Sequence, residues 1–227
     1  MSGRVARSDR VAATRETILS AAERLFAEHG VAGVSNRQIS QEAGQGNNTA
    51  VTYHFGSKDG LVRAIVRRHT ERLEHLRRRM VARVDGSTEV RDWVGCMVEP
   101  LAQHLAELGT PSWYGRFSAQ ALEDPAYREI VSSEALDSPS LVRTGEELRR
   151  CLPDLPAPVR RERQDMARTL IVHTIAARER TLAEGGTTPR SSWQQAATGL
   201  TDALTGLWLA PVTDPSPLQE AVRPGPR

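Results

Sequence analysis

The chain has 227 residues, 39% hydrophobic and 26% charged, with a formal net charge of +2. That allows one large domain or two small ones around a sizeable core, in an ordinary soluble composition. The two cysteines, Cys96 and Cys151, exclude a disulfide framework and a cysteine-based metal site, and no run of about 18 apolar residues is present to cross a membrane.

The opening MSGRVARSDR lacks the apolar core of a signal peptide, so a cytoplasmic location with reduced thiols is expected. Charge is unevenly spread. Residues 1–83 carry 15 Lys+Arg against 8 Asp+Glu, and the remainder carries 15 against 20. A basic N-terminal part on a mildly acidic body is the footprint of a nucleic-acid-binding head.

Residues 1–12 are Arg-rich and aperiodic and read as a flexible basic arm. From Thr14 to His29, Ile18, Leu19, Ala22, Leu25 and Phe26 fall on one helical face, and Gly30 stops the helix. A second helix is predicted over Ser35–Ala43. Ser35 is its N-cap, Gln38 completes a capping box, and Ile39 and Ala43 face inward. Gly44-Gln45-Gly46 breaks it. A third helix over Asn48–Phe55 takes Asn47 as its cap and turns Val51 and Phe55 inward.

Ser57 caps a fourth helix with Leu61, Ile65, Leu73, Leu76 and Met80 on its apolar face and an arginine-rich solvated face. Gly86 marks a boundary. Further helices are predicted over Glu89–Leu108, Pro111–Leu122, Pro125–Cys151 with a break at Asp137-Ser138-Pro139, Val159–Glu184 and Ser192–Leu209. Five prolines from Pro211 onward make residues 211–227 an extended or disordered tail.

The functional signal lies in SNRQISQEAGQGNNTAVTYHFGSK, Ser35 to Lys58. The outer face of the third helix carries Asn48, Thr49, Thr52, Tyr53 and His54, hydrogen-bonding groups with no carboxylate. A helix entering the DNA major groove needs such a surface, because base edges exchange hydrogen bonds and phosphates repel acids. Asn48, Thr49 and Thr52 are the candidates nearest base edges, Asn47 joins the DNA-facing set just before them, and Tyr53 and His54 lie toward phosphate. Lys58, the only lysine, sits at a helix N-terminus where cation and backbone N–H groups together favour phosphate. Ser35 and Arg37 stand at the start of the second helix, in place to hold the backbone from the other side.

Catalysis has no comparable signal. Neither G-x-S-x-G nor H-E-x-x-H occurs, the glycine loop follows a helix rather than a strand, and the six histidines are dispersed. No cofactor or metal is expected.

This stretch resembles the DNA-binding domain of the TetR family of bacterial transcriptional regulators. The resemblance rests on Ala43-Gly44 and on Tyr53-His54-Phe55-Gly56-Ser57-Lys58-Asp59 followed by Leu61. The spacing from Gly44 to Tyr53 is one residue longer than the family's, in the turn around Gln45-Gly46.

The resemblance implies an all-α protein. A helix-turn-helix head spans residues 13–58, and a larger ligand-binding and dimerisation domain spans 59–210, of which 59–83 is the linking helix. It also implies a homodimer that binds a palindromic double-stranded operator, with a small-molecule effector in the body and no membrane association. Trp93, Met97, His104, Trp113, Phe117 and His173 are the candidate cavity lining. The same residues would also suit an ordinary helical core. By the resemblance the last two helices meet a twofold mate through Met166, Leu170, His173, Thr174, Trp193, Ala197, Leu200, Leu204 and Trp208. On pattern alone these helices could equally pack within one chain. The alternative function is a DNA-binding protein without ligand, whose body is a protein-interaction module.

Overall fold

The computed structural model describes residues 2–47 and 49–213. Among these, ten helices and no strand are found: α1 (Ser2–His29), α2 (Asn36–Glu42), α3 (Ala50–Phe55), α4 (Lys58–Arg83), α5 (Val90–Leu108), α6 (Tyr114–Glu123), α7 (Pro125–Leu136), α8 (Pro139–Cys151), α9 (Ala157–Ala183) and α10 (Trp193–Leu209). The expected all-α fold is the observed one. The proline-rich tail lies outside the described residues beyond Thr213.

Helices α1–α3 form the head. Ile18, Leu19, Ala22 and Phe26 of α1 close on Ile39 of α2 and Val51 of α3, all buried. The capping box is formed in both directions: Gln38 N–H donates to Ser35 Oγ at 3.3 Å, and Ser35 N–H donates to Gln38 Oε1 at 2.8 Å. Gly44 follows with φ +65°, a left-handed conformation that suits glycine and lets the chain leave α2 sharply.

Two expectations change in the head. Residues 2–12 are the first turns of α1 rather than an aperiodic arm. Nothing in that stretch forbids helix, since it has no proline, and Arg and Ala are good helix formers. Helix α3 starts at Ala50, two residues later than the pattern suggests. Asn47 acts just upstream of the cap position: its Oδ1 accepts from Thr49 N–H at 2.9 Å and from Thr49 Oγ1 at 2.7 Å.

Helix α4 belongs to both halves. Its first turns pack on α1 and α3, and its length packs on α5, α7 and α8. Ser57 caps it by accepting from Gly60 N–H at 3.0 Å. Gly60 lets that turn close, because a Cβ there would collide with the carbonyl oxygen of Phe55. In the body, α10 lies on α5 and α6 lies on α9. Glu179 of α9 is buried and takes the start of α6: it accepts from Ser112 Oγ at 2.7 Å, Gly115 N–H at 3.2 Å and Arg116 N–H at 2.8 Å. A carboxylate at a helix N-terminus satisfies orphan donors and opposes the dipole.

Head and body meet at a buried polar cluster. Glu23 of α1 accepts from His69 Nε2 of α4 at 2.9 Å and also pairs with Arg68. His69 Nδ1 faces His104 Nε2 of α5 at 2.7 Å, and the ring of Tyr114 stacks on His69 at 3.9 Å between centroids. Burial pushes the Glu23 carboxyl up, but the hydrogen bond and charge of His69 and the charge of Arg68 outweigh it and hold the pKa below the ordinary value. Burial, aided by His69, pushes His104 down to about 4.

Between its ordinary value of 6.5 and about 4, His104 is neutral in the fold but protonated in the unfolded chain. The unfolded state therefore binds more protons, and stability falls as pH drops through that window. Thermal melts from pH 7.5 to 4.5 are expected to show this decline, and His104→Gln is expected to flatten it.

Candidate nucleic-acid interface and body cavity

Helix α3 offers its outer face to solvent. Thr49 and Thr52 are exposed, Tyr53 is 79% exposed, and no acidic residue lies on the helix. The His54 ring meets Tyr53 edge-on at 4.9 Å between centroids and is half-buried. Ser35, Arg37 and Asn47 are exposed at the start of α2 and in the turn, so these expected residues share the surface of the two-helix unit. Asn48 lies outside the described residues.

Lys58 is placed differently from the rest. Its Nζ lies 5.8 Å from the ring centroid of the buried Phe26, and the residue is half-buried. Desolvation lowers its pKa against the opposing charges of Asp124 and Asp59. Its ammonium is thus held partly by the protein itself, unlike an exposed phosphate-seeking cation.

The position of α3 depends on a residue that periodicity does not single out. Arg15 of α1 donates from Nη1 to the His54 carbonyl oxygen at 3.2 Å, and its guanidinium stands 4.3 Å from the Phe55 ring centroid. It caps the C-terminal end of α3, where orphan carbonyls and the dipole favour a cation. No local pattern marks it, because its hydrogen-bond partner His54 is 39 residues away.

The body contains a cavity of about 370 Å³ bounded by α4 to α9 and Trp208 of α10. Of the six residues expected to line it, only Met97 does. Trp93 and Phe117 are packed solid in the core. His104 belongs to the head–body cluster, Trp113 lies under the Arg116 guanidinium at 4.3 Å, and His173 is exposed with Nε2 3.6 Å from Glu123. Large aromatics are good core fillers, which is why composition alone points to them and misses the space beside them.

The expected mate-facing set also divides. Met166 and Leu170 of α9 are 46% and 37% exposed, and His173 and Thr174 are exposed beside them. Trp193, Ala197, Leu200, Leu204 and Trp208 of α10 are buried inside the chain, where α10 packs on α5. An apolar stripe does not say which neighbour covers it. The solvent side of α10 instead presents Ala203 and Leu207, which share a shallow groove with Met166, Thr169 and Leu170.

Residues 18–65 match the family model described as bacterial regulatory proteins, tetR family. The head is therefore similar to that of the TetR family. It is similar to the transcriptional repressor AcnR of Corynebacterium glutamicum, 36% identical over 69 residues, which cover 30% of this chain and 36% of that protein. It is similar to the transcriptional regulator TtgR of Pseudomonas putida, 37% identical over 95 residues and 42% of each chain. The matches thus span well under two thirds of these curated relatives.

Over most of its length, the fold is similar to that of a TetR family transcription regulator from Marinobacter aquaeolei VT8. The TM-score is 0.59 at 16% identity, covering 86% of this chain and 97% of the other. The matched residues run from Ile18 of α1 through α2 and α3 to Ile65 of α4, and so include the surface that α2 and α3 present.

The two faces of the head have opposite expected sensitivities. Ile39→Ala, at a fully buried position, is expected to cost about 2–5 kcal/mol. Tyr53→Ala, at an exposed one, is expected to stay within about 0.5 kcal/mol of the parent. Chemical denaturation of both variants checks the pair.

Proposed function

We propose that the protein is a homodimeric transcriptional repressor that binds a palindromic operator through α2 and α3 and is released by a small molecule held in the body. The observation that carries the DNA role is the exposed, carboxylate-free face of α3 beside the start of α2. Thr49 and Thr52, with Asn48, are assigned to base edges. Tyr53 and His54 are assigned to phosphate, with Ser35, Arg37 and Asn47 flanking them. Lys58 has a secondary place, because its charge is partly engaged within the fold.

A six-residue recognition helix covers little DNA. Two copies related by a twofold axis read half-sites about one helical turn apart. The surface that suits a mate is the exposed strip of α9 and α10: Met166, Leu170, Ala203 and Leu207, flanked by His173 and Thr174. Repression is favoured by the similarity of the head to a protein described as a repressor.

Ligand release is supported by the cavity. Val66, Thr70 and Leu73 of α4 line it, and α4 is the helix on which the head is mounted. A ligand that prefers one position of α4 shifts the head spacing by its differential affinity. The cavity also favours this reading over a body that serves only as a protein-interaction module. No helix among the described residues is long and apolar enough to cross a membrane, and we assign the protein to the cytoplasm.

Operator DNA selected from a random pool provides the test. Tyr53→Ala is expected to weaken binding to all sequences with little change in salt slope, because the side chain is uncharged, whereas Arg37→Ala is expected to lower the slope by about one. Unchanged affinity would remove Tyr53 from the interface, and an unchanged slope would remove Arg37. Leu170→Glu is expected to yield monomers in sedimentation and to lose palindrome binding; a stable dimer would move the interface elsewhere.

A further inference from the structure

The body cavity carries an unbalanced charge pattern. Two arginines, Arg77 and Arg168, line it, and no Asp or Glu does. Arg168 is exposed and paired with Asp165 at 2.8 Å. Arg77 is 6% exposed, and no carboxylate among the described residues comes within ion-pair distance of it.

Its guanidinium has five N–H donors. Nε donates to the Cys96 carbonyl oxygen at 3.1 Å and Nη1 reaches Ser138 Oγ at 3.4 Å; Nη2 has no acceptor among the described residues. The nearest compensating charge, Glu74, is engaged elsewhere. Its Oε2 accepts from Ser138 Oγ at 2.5 Å, Ser140 Oγ at 2.7 Å and Ser140 N–H at 3.2 Å, which holds the start of α8. Burial lowers the Arg77 pKa, with Glu74 opposing.

A purely structural arginine would be a costly choice here. Tying α4 to one α5 carbonyl and one serine hydroxyl needs only a neutral donor. Burying a full positive charge with neutral partners costs several kcal/mol in general. The rest of the lining is mostly apolar: Leu73, Met97, Leu101, Val131 and Ile175, with hydroxyls on Ser118 and Ser132. A volume of about 370 Å³ lies within the range of small-molecule sites.

We propose that the cavity takes a small monocarboxylate with an apolar body, its carboxylate paired by the free edge of the Arg77 guanidinium. The inference rests on the reading of the cavity as a ligand site and adds the chemical class. A planar guanidinium fork matches a carboxylate in two hydrogen bonds, and a low-polarity wall strengthens them. The same features reject cationic molecules, because the lining supplies no anion. Neutral analogues gain the apolar contacts but leave the buried charge unmatched.

The experiment uses the full chain and two probes, octanoate and 4-phenylbutyrate, each with its amide and its amine. Binding is read by calorimetry and by thermal stabilisation. At least one acid is expected to bind about tenfold or more tightly than its amide, in line with the strength of charge-assisted hydrogen bonds, and the amines are expected not to bind. Arg77→Gln is expected to erase the difference between acid and amide. Arg77→Lys, which keeps the charge but not the fork, is expected to retain part of it.

Amides or amines binding as tightly as the acids would overturn the proposal. So would the absence of any acid effect at millimolar concentration, or an acid preference that persists in Arg77→Gln. If Arg77→Gln does not fold, the acid–amide comparison on the parent chain still decides. A separate titration on selected operator DNA distinguishes the two readings. Acids that bind without changing DNA affinity uphold the ligand class and overturn the release mechanism.

Discussion

Glu23 is a carboxylate with almost no exposure, placed on the helix that forms the head and bonded to His69 and Arg68 on the helix that enters the body. A buried charge needs partners of good geometry, and here every partner comes from another element. The position of α1 on α4 is therefore specified by chemistry as well as by packing. His104 and Tyr114 extend the cluster to α5 and α6, so four helices share one polar centre. Displacing any one of them strands a donor or an acceptor away from water.

That constraint explains how a small head can be handled as a unit by a large body. The head core of Phe26, Ile39 and Val51 is continuous with that of the body: Phe26 of α1 stacks on Phe117 of α6, beside the contacts through α4 and the cluster around Glu23. The cavity lies along an adjacent face of the same helix, lined by Val66, Thr70 and Leu73. Tyr114 touches both, with its ring against His69 and its edge among the lining residues. Cavity, helix and head cluster are contiguous.

Much of this was legible in the chain of residues. Ser35 with Gln38, and Ser57 before α4, are local capping signals, and both caps form in the structure. The outward face of α3 needed only the 3.6-residue period, because Val51 and Thr52 must point in different directions on any helix. Other assignments rested on pattern where pattern is silent. The apolar stripe of α10 was sound, but it faces α5 rather than a mate. Trp93 and Phe117 were correctly apolar and incorrectly cavity-lining, since a core filler and a cavity wall have the same composition. Arg77 was submerged among the arginines of α4, most of them half-buried or exposed, and only its surroundings distinguish it.

Most of the helical elements, the Ser35 and Ser57 caps and the outward face of α3 were written in the order of the residues. All of these are set by interactions between residues a few positions apart. The tertiary structure alone decided which arginine is buried, which apolar face meets solvent and where the body leaves a space. It also decided that Glu23 finds its histidine 46 residues away. These depend on contacts between distant segments, whose energies are settled only when all the helices compete for the same interior.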